Sequence, residues 1–251
     1  MINFARQKED RPAGAPGLRA YVIGDVHGRL DLLKNLLAQI HGELDRKPVK
    51  QALLVFVGDL IDRGPNSAQV IDRLRTYVHP KVRPVFLLGN HEEVLLRVLD
   101  GDAELLAKWR WFGGTECLQS YGVNTEFLSR MNDQDALDAV RAAIPRRHVQ
   151  FLESFSDTCR FGDYLFVHAG LRPGVALEEQ VQSDLRWIRE PFLLDDTDHG
   201  MIVVHGHTIS ELVEEKRNRI GIDTGAYRTG VLTALAIEGP DRWFLDTSEG
   251  S

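Results

Sequence analysis

The chain has 251 residues, of which 43% are hydrophobic and 27% charged, and it carries a formal net charge of -7. That length suits one generous domain or two small ones, with room for a sizeable core. The acidic balance argues against a general binder of nucleic acid or anionic membranes, although a local metal site can reverse the field for an anionic substrate. Cys117 and Cys159 are too few for a disulfide framework and match no zinc spacing. No apolar run reaches the roughly 18 residues of a membrane span. Met1 to Gly17 is charged and then Pro/Gly-rich, without the apolar centre of a signal peptide. It reads as a flexible tail (1–17) on a cytoplasmic protein, before a single domain over 18–251.

Ala20-Tyr21-Val22-Ile23 is an apolar run that leads into Gly24-Asp25-Val26-His27-Gly28. Asp25 and His27 are two apart, so in an extended segment both point the same way. Leu30, Leu33, Leu37, Ile40 and Leu44 follow at helical spacing, and Lys47-Pro48 ends that helix. The next run, Leu53-Leu54-Val55-Phe56-Val57, reads as a strand buried on both faces and leads into Gly58-Asp59-Leu60-Ile61-Asp62-Arg63-Gly64. Ser67 to Tyr77 reads as a second helix. A third strand is expected over Val85-Phe86-Leu87-Leu88, with Pro84 tolerated at its first residue and Gly89-Asn90-His91-Glu92 after it. This alternation implies a parallel sheet with right-handed crossovers.

From about 93 to 155 the alternation stops, and the apolar spacing predicts a helical insertion over one face of the sheet, with Gly113-Gly114 as a packing turn. Strands return at Tyr164 to Val167, before His168-Ala169-Gly170, and at Met201 to Val204, before His205-Gly206-His207. Another runs from Arg219 to Ile222, before Asp223-Thr224-Gly225. Two closing strands, Val231 to Ile237 and Trp243 to Leu245, end in no ligand and read as antiparallel.

Five strands thus end in Asp25/His27, Asp59, Asn90/His91, His168 and His205/His207. Carboxylates, an amide and imidazoles gathered on one sheet edge point to a metal site, since ligands in open α/β sheets bind where parallel strands end. The mixed donor set suits divalent manganese, iron or zinc, and the lack of thiolates argues against a zinc finger or an iron–sulfur cluster. There are more ligands than one tetrahedral ion needs, which suggests two ions bridged by a carboxylate. Such ions sit roughly 3.5–4 Å apart and clamp both the attacking and the leaving oxygens of a phosphoryl transfer. A bridging water would be acidified into a hydroxide nucleophile.

These five motifs, with Gly206-His207-Thr208 as the last, resemble in order and spacing the metallophosphoesterase superfamily. They are most similar to its phosphoprotein phosphatase branch, in the bacterial and phage form related to the lambda phosphatase. The resemblance runs from about Ala20 to Leu245. It implies an α/β fold, the calcineurin-like metallophosphoesterase fold, in which a sandwich of two mixed β-sheets is flanked by helices and holds the metals at one end. It also implies two divalent ions per chain, manganese foremost, with iron or zinc as alternatives. Asp25, His27 and Asp59 would hold the first ion. Asp59, Asn90, His168 and His207 would hold the second, with Asp59 bridging. His91 would be the general acid, oriented by Asp62. Arg63 and Arg189 would clamp the substrate phosphate, Arg186 being the rival of Arg189. The wider superfamily often ends in Gly-His-x-His, but this chain has Ile209 at the last position, which fits the phosphatase branch. His205 is therefore read as a structural residue or one behind the ligands, and Asp223 is assigned no chemistry.

The activity expected from the resemblance is that of a serine/threonine protein phosphatase acting on a phosphorylated protein or peptide, with neither nucleic acid nor membrane as partner. The rival is a symmetrical diadenosine tetraphosphate hydrolase. That family usually lacks an aspartate at the position of Asp62 and has Asp where Glu92 stands. A scaffold that has lost catalysis should also have lost ligands, and none is missing here.

Overall fold

In β1 (Arg19–Ile23) and β2 (Ala52–Phe56) successive side chains point to opposite sides of the sheet, and both sides are apolar. Tyr21, Ile23, Leu54 and Phe56 enter one core, while Ala20, Val22 and Val55 enter another. Each strand therefore needs cover on both faces. The computed structural model, which describes residues 11–248, supplies it with helices on one side and a second sheet on the other.

The first sheet pairs β1 and β2 in parallel with β3 (Val82–Phe86). The crossovers are α1 (Leu30–Arg46) and α2 (Ser67–Arg75), and α1 buries the predicted stripe of Leu33, Leu37, Ile40 and Leu44. Strand β3 begins two residues earlier than the sequence suggested, so Pro84 is its third residue and not its first. Because β3 is the edge of the sheet, the missing N–H there costs no ladder bond on a far side.

The stretch after β3 is helical, through α3 (Asn90–Asp100), α4 (Ala103–Trp109), a wide turn over Arg110–Gly114, α5 (Thr115–Ser120), α6 (Thr125–Leu128), α7 (Asp133–Ala143) and α8 (Arg146–Glu153). Leu106, Trp109, Leu118, Leu137, Val140 and Leu152 from this stretch join the core on the helical side of the first sheet.

The second sheet contains β4 (Thr158–Phe161), β5 (Tyr164–Val167), β6 (Ile202–His205), β7 (Glu214–Glu215) and β8 (Arg219–Gly221), in the order β4-β5-β6-β8-β7. Strands β5, β6 and β8 are parallel, and β4 and β7 are antiparallel edges that the sequence pattern did not reveal. Phe166, Val204 and Ile220 face the first sheet, while Leu165, Val167 and Val203 face α9 (Gln182–Trp187) and Phe192. A short α10 (Ala226–Thr229) precedes β9 (Thr233–Glu238) and β10 (Asp241–Asp246), an antiparallel pair that completes the first sheet beside β1. The ligand-bearing strand ends thus come from two facing sheets, where a reading of strand ends alone placed them on one edge.

Residues 1–10 of the expected tail lie outside the described residues. The remainder does not run free. Ala13 N–H donates to the Asp163 carboxylate, Gly14 N–H donates to the Gly239 carbonyl, and Gly14 is buried against Phe161 and Ile237.

Candidate metal centre and active site

The loops after β1, β2, β3, β5, β6 and β8 meet at one end of the sandwich, and their polar residues are buried. Asp25, His27, Asp59, Asp62, Asn90, His91, His168, His207 and Asp223 are each less than a tenth exposed. Among the described residues other than glycine, positive φ occurs only at His27, Asp59, Asp62, Arg63 and His207. Asp and His tolerate the left-handed region better than most, and Arg63 is the exception. Each such residue costs on the order of 1–3 kcal/mol. One fully buried large apolar side chain contributes about 1.5–3 kcal/mol, so the packed strands can hold these loops in strained conformations. Gly58, at φ 114°, permits a close approach, because a Cβ there would lie 2.7 Å from the Gly89 backbone and 2.8 Å from His168 Nδ1.

Asp59 is the centre of the cluster. One carboxylate oxygen is 3.6 Å from His27 Nε2 and 3.9 Å from His91 Nε2, and the other is 3.5 Å from His168 Nε2. The second oxygen also accepts the His91 backbone N–H, at the N-terminus of α3. Two groups of potential ligand atoms result, His27/Asp59/His91 and Asp59/His168/His207, and they share Asp59. Asn90 Oδ1 lies 2.9 Å from both His168 Nε2 and His207 Nδ1, which joins it to the second group. Asp25 stands beside both, its carboxylate accepting the backbone N–H of His207. The structure therefore brings together all six residues expected to bind metal.

The site fits divalent ions in two respects. His27 Nδ1–H donates to the Ile61 carbonyl and His168 Nδ1–H to the Val57 carbonyl, which leaves the Nε2 lone pair of each ring turned inward. Burial holds both imidazoles below their usual pKa and pushes His207 down to about 3, so all three are neutral and able to bind metal. The carboxylates tell the same story. Burial opposes ionisation of Asp59, but four surrounding imidazoles hold it below the usual carboxylate range. Asp25 is pushed well up by burial and by the charges of Asp223 and Asp59, and Asp223 rises to about 6 for similar reasons. Three buried carboxylates facing one another call for a nearby cation.

Beside this cluster, His91 Nδ1–H donates to Asp62 Oδ2 at 2.5 Å. Burial lowers the imidazole's pKa, but the Asp59 and Asp62 carboxylates outweigh it and the net shift is upward. Arg63 forks between the two rings, its Nη1 3.0 Å from His27 Nε2 and its Nη2 3.1 Å from His91 Nε2, with the guanidinium over the Tyr227 ring. Arg189 follows α9 and is exposed; among the described residues its side chain has no hydrogen-bond or ion-pair partner, yet its charge reaches His168 and His207. Arg186 is committed elsewhere, to Asp157 at 2.6 Å and Glu93 at 3.3 Å. Of the two candidates for the second arginine, Arg186 is thus already paired.

Several residues in and around the site had no assigned role. Glu92 accepts backbone N–H groups from Asp59, Leu60, Ile61 and Gly89, and so ties two loops together. Asp223 stands beside Asp25, and its position after a strand was the signal that could have found it. Tyr227 packs edge-on against His27, and nothing in its sequence context announced that. His205, which the sequence left as structural or behind the ligands, donates Nδ1–H to the Gly206 carbonyl and accepts from Arg219.

Sheets, loop placement and buried Asp/His/Asn cluster together define a metal-dependent phosphoesterase. The sequence model of the calcineurin-like phosphoesterase family matches residues 18–234, and the chain belongs to that family. It is 27% identical over 228 residues to serine/threonine-protein phosphatase 2 of Escherichia coli (strain K12), covering 87% of this chain and 92% of that one. It is 26% identical over 244 residues to the asymmetrical bis(5'-nucleosyl)-tetraphosphatase PrpE of Halalkalibacterium halodurans, covering 85% and 88%. In fold it is similar to the cold-active protein-tyrosine phosphatase of a Shewanella species, with a TM-score of 0.56 at 17% identity, over 93% of this chain and 83% of that one.

Proposed function

We propose that this phosphoesterase is a phosphomonoesterase acting on phosphoserine and phosphothreonine in proteins or peptides. The observation that carries the reading is the His91–Asp62 pair, a buried imidazole held by a carboxylate beside the metal cluster. A serine alkoxide is a poor leaving group and needs a proton in the transition state. The phosphate end of a split dinucleotide leaves largely unassisted. An imidazole fixed for proton delivery is therefore of most use to a phosphomonoester.

Asp25, His27 and Asp59 would hold one ion, and Asp59, Asn90, His168 and His207 the other. When bound, the pair supplies the Lewis acidity that such hydrolyses require. Manganese suits the mixed oxygen and nitrogen donors, and iron and zinc are the alternatives. Arg63 now donates to His27 and His91, and an incoming phosphoryl group would accept the same two N–H bonds while Arg189 takes another oxygen. Both guanidiniums can grip two oxygens at once. His91, released from Arg63, would take up a proton on Nε2, which the Asp59 and Asp62 carboxylates favour, and would pass that proton to the leaving oxygen. The two cysteines are unpaired, which agrees with a reducing, cytoplasmic setting. Among the described residues no helix is long and apolar enough to cross a membrane.

The rival reading, hydrolysis of dinucleoside polyphosphates, is carried by the names of relatives. The test is a parallel assay of the manganese-loaded protein on a phosphoserine peptide, a phosphotyrosine peptide and diadenosine tetraphosphate. The phosphoserine peptide should give the highest kcat/KM. A higher value on diadenosine tetraphosphate would replace this reading with its rival.

A further inference from the structure

Asp62 is fully buried, and the oxygen that accepts from His91 also accepts a second donor. The indole Nε1–H of Trp109, the last residue of α4, lies 2.6 Å from Asp62 Oδ2. Trp109 is itself fully buried, and its ring is wedged against Gly114, where a Cβ would fall 2.4 Å from the indole. A buried indole N–H needs some acceptor, and a helix carbonyl would serve packing equally well. Here the acceptor is the carboxylate oxygen that carries the candidate acid.

We propose that Trp109 is a positioning residue of the reaction, holding the Asp62 carboxylate so that His91 keeps the orientation needed to deliver its proton. The proposal rests on the reading of His91 as the general acid. Without the indole, His91 and the weakly donating Cys117 thiol would be the side-chain partners of the carboxylate, which could turn about its last torsion and carry the imidazole with it. A rigid, fully buried donor on the same oxygen removes that freedom. The surrounding turn points the same way. Asp62 and Arg63 both have positive φ, and their backbone N–H groups are taken up by Ser67 Oγ at 2.9 Å and the Gly113 carbonyl at 3.0 Å. Gly113, at φ 124°, must be glycine, because a Cβ would lie 2.6 Å from Arg63 Cγ. Trp109 and Gly113 belong to one continuous wall from the helical stretch. That wall seats the second motif from behind, while Asp59 secures it from the metal side.

The experiment compares wild type, His91→Asn, Trp109→Phe and a Trp109→benzothienylalanine protein in which sulfur replaces the indole N–H at nearly the same shape. Each is loaded with manganese and assayed on a phosphoserine peptide and on 4-nitrophenyl phosphate, and its bound metal is measured. General acid catalysis is typically worth about 10²–10⁴-fold, and misorienting the acid should forfeit about tenfold of it on the peptide. Both Trp109 variants should show that loss on the peptide and a distinctly smaller one on the nitrophenyl ester, with metal content kept. Should His91→Asn show this leaving-group bias and the benzothienyl protein not, Trp109 is packing alone and the proposal is overturned. Should His91→Asn itself lose equally on both substrates, the acid assignment falls, and the role of Trp109 falls with it.

Discussion

The Glu92 carboxylate accepts the backbone N–H of Asp59 at 2.8 Å, so the residue shared by both candidate metal positions is held from the neighbouring strand end. The other Glu92 oxygen accepts from Leu60 and Ile61, which leaves neither oxygen free. Burial and the Asp59 charge push the Glu92 carboxyl up to about 8, and the N–H donors oppose them. Above about pH 8, where Glu92 is ionised, Glu92→Gln replaces one of these accepting oxygens with an NH2 group facing N–H donors. An unsatisfied buried group costs about 1–3 kcal/mol, and the metal-free variant should lose about that much stability. Its metal affinity should fall as well, because Asp59 loses its seat. Urea unfolding and a manganese titration would check both, and unchanged values would mean that the strands hold Asp59 without Glu92.

Asp59→Asn should abolish phosphatase activity and reduce bound metal from about two ions towards one or none. Each group of potential ligands includes Asp59, and an amide offers only one oxygen acceptor where the carboxylate serves both sides. Metal analysis of the reconstituted variant gives the count. Two ions retained at wild-type affinity would contradict a bridging role.

Arg189→Ala and Arg189→Lys should both lower kcat/KM, by about tenfold or more for the alanine, because a lysine cannot reproduce a planar two-oxygen grip. Arg186→Ala should instead act on stability. Its ion pairs with Asp157 and Glu93 are partly exposed, and such pairs contribute about 1 kcal/mol at most. Kinetics and thermal unfolding of the three variants distinguish the roles. A kinetic defect confined to Arg186→Ala would reverse the assignment.

His205 is buried between Arg219 and Phe192, and burial pushes its pKa down to about 4 from 6.5. Between those values the unfolded chain binds a proton that the folded chain refuses, so stability falls as the pH falls. The full loss, reached below about pH 4, is about 3 kcal/mol. His205→Gln keeps an acceptor for Arg219 and removes the titration. Denaturant unfolding of metal-free protein from pH 7 to 4 should show a flatter dependence for the variant. Parallel curves would mean that His205 contributes nothing to acid lability.

What the sequence determined by itself was local. Apolar runs with polar ends marked β1, β2, β5 and β6, and the leucine stripe marked α1, because side-chain periodicity and ligand type depend on neighbours along the chain. The six candidate metal residues and His91 belong to motifs short enough to be legible in the same way. Tertiary structure decided what those runs pack against. It divided the strand ends between two sheets, and it revealed β4 and β7, whose few residues gain their order from a partner strand. It also tied Arg186 into ion pairs, since only folding brings Asp157 and Glu93 to it. Trp109 reaches Asp62 across 47 residues, through a turn in which Gly113 closes on Arg63. Such a contact is invisible to spacing, because it depends on loops held at positive φ by the cores beneath them.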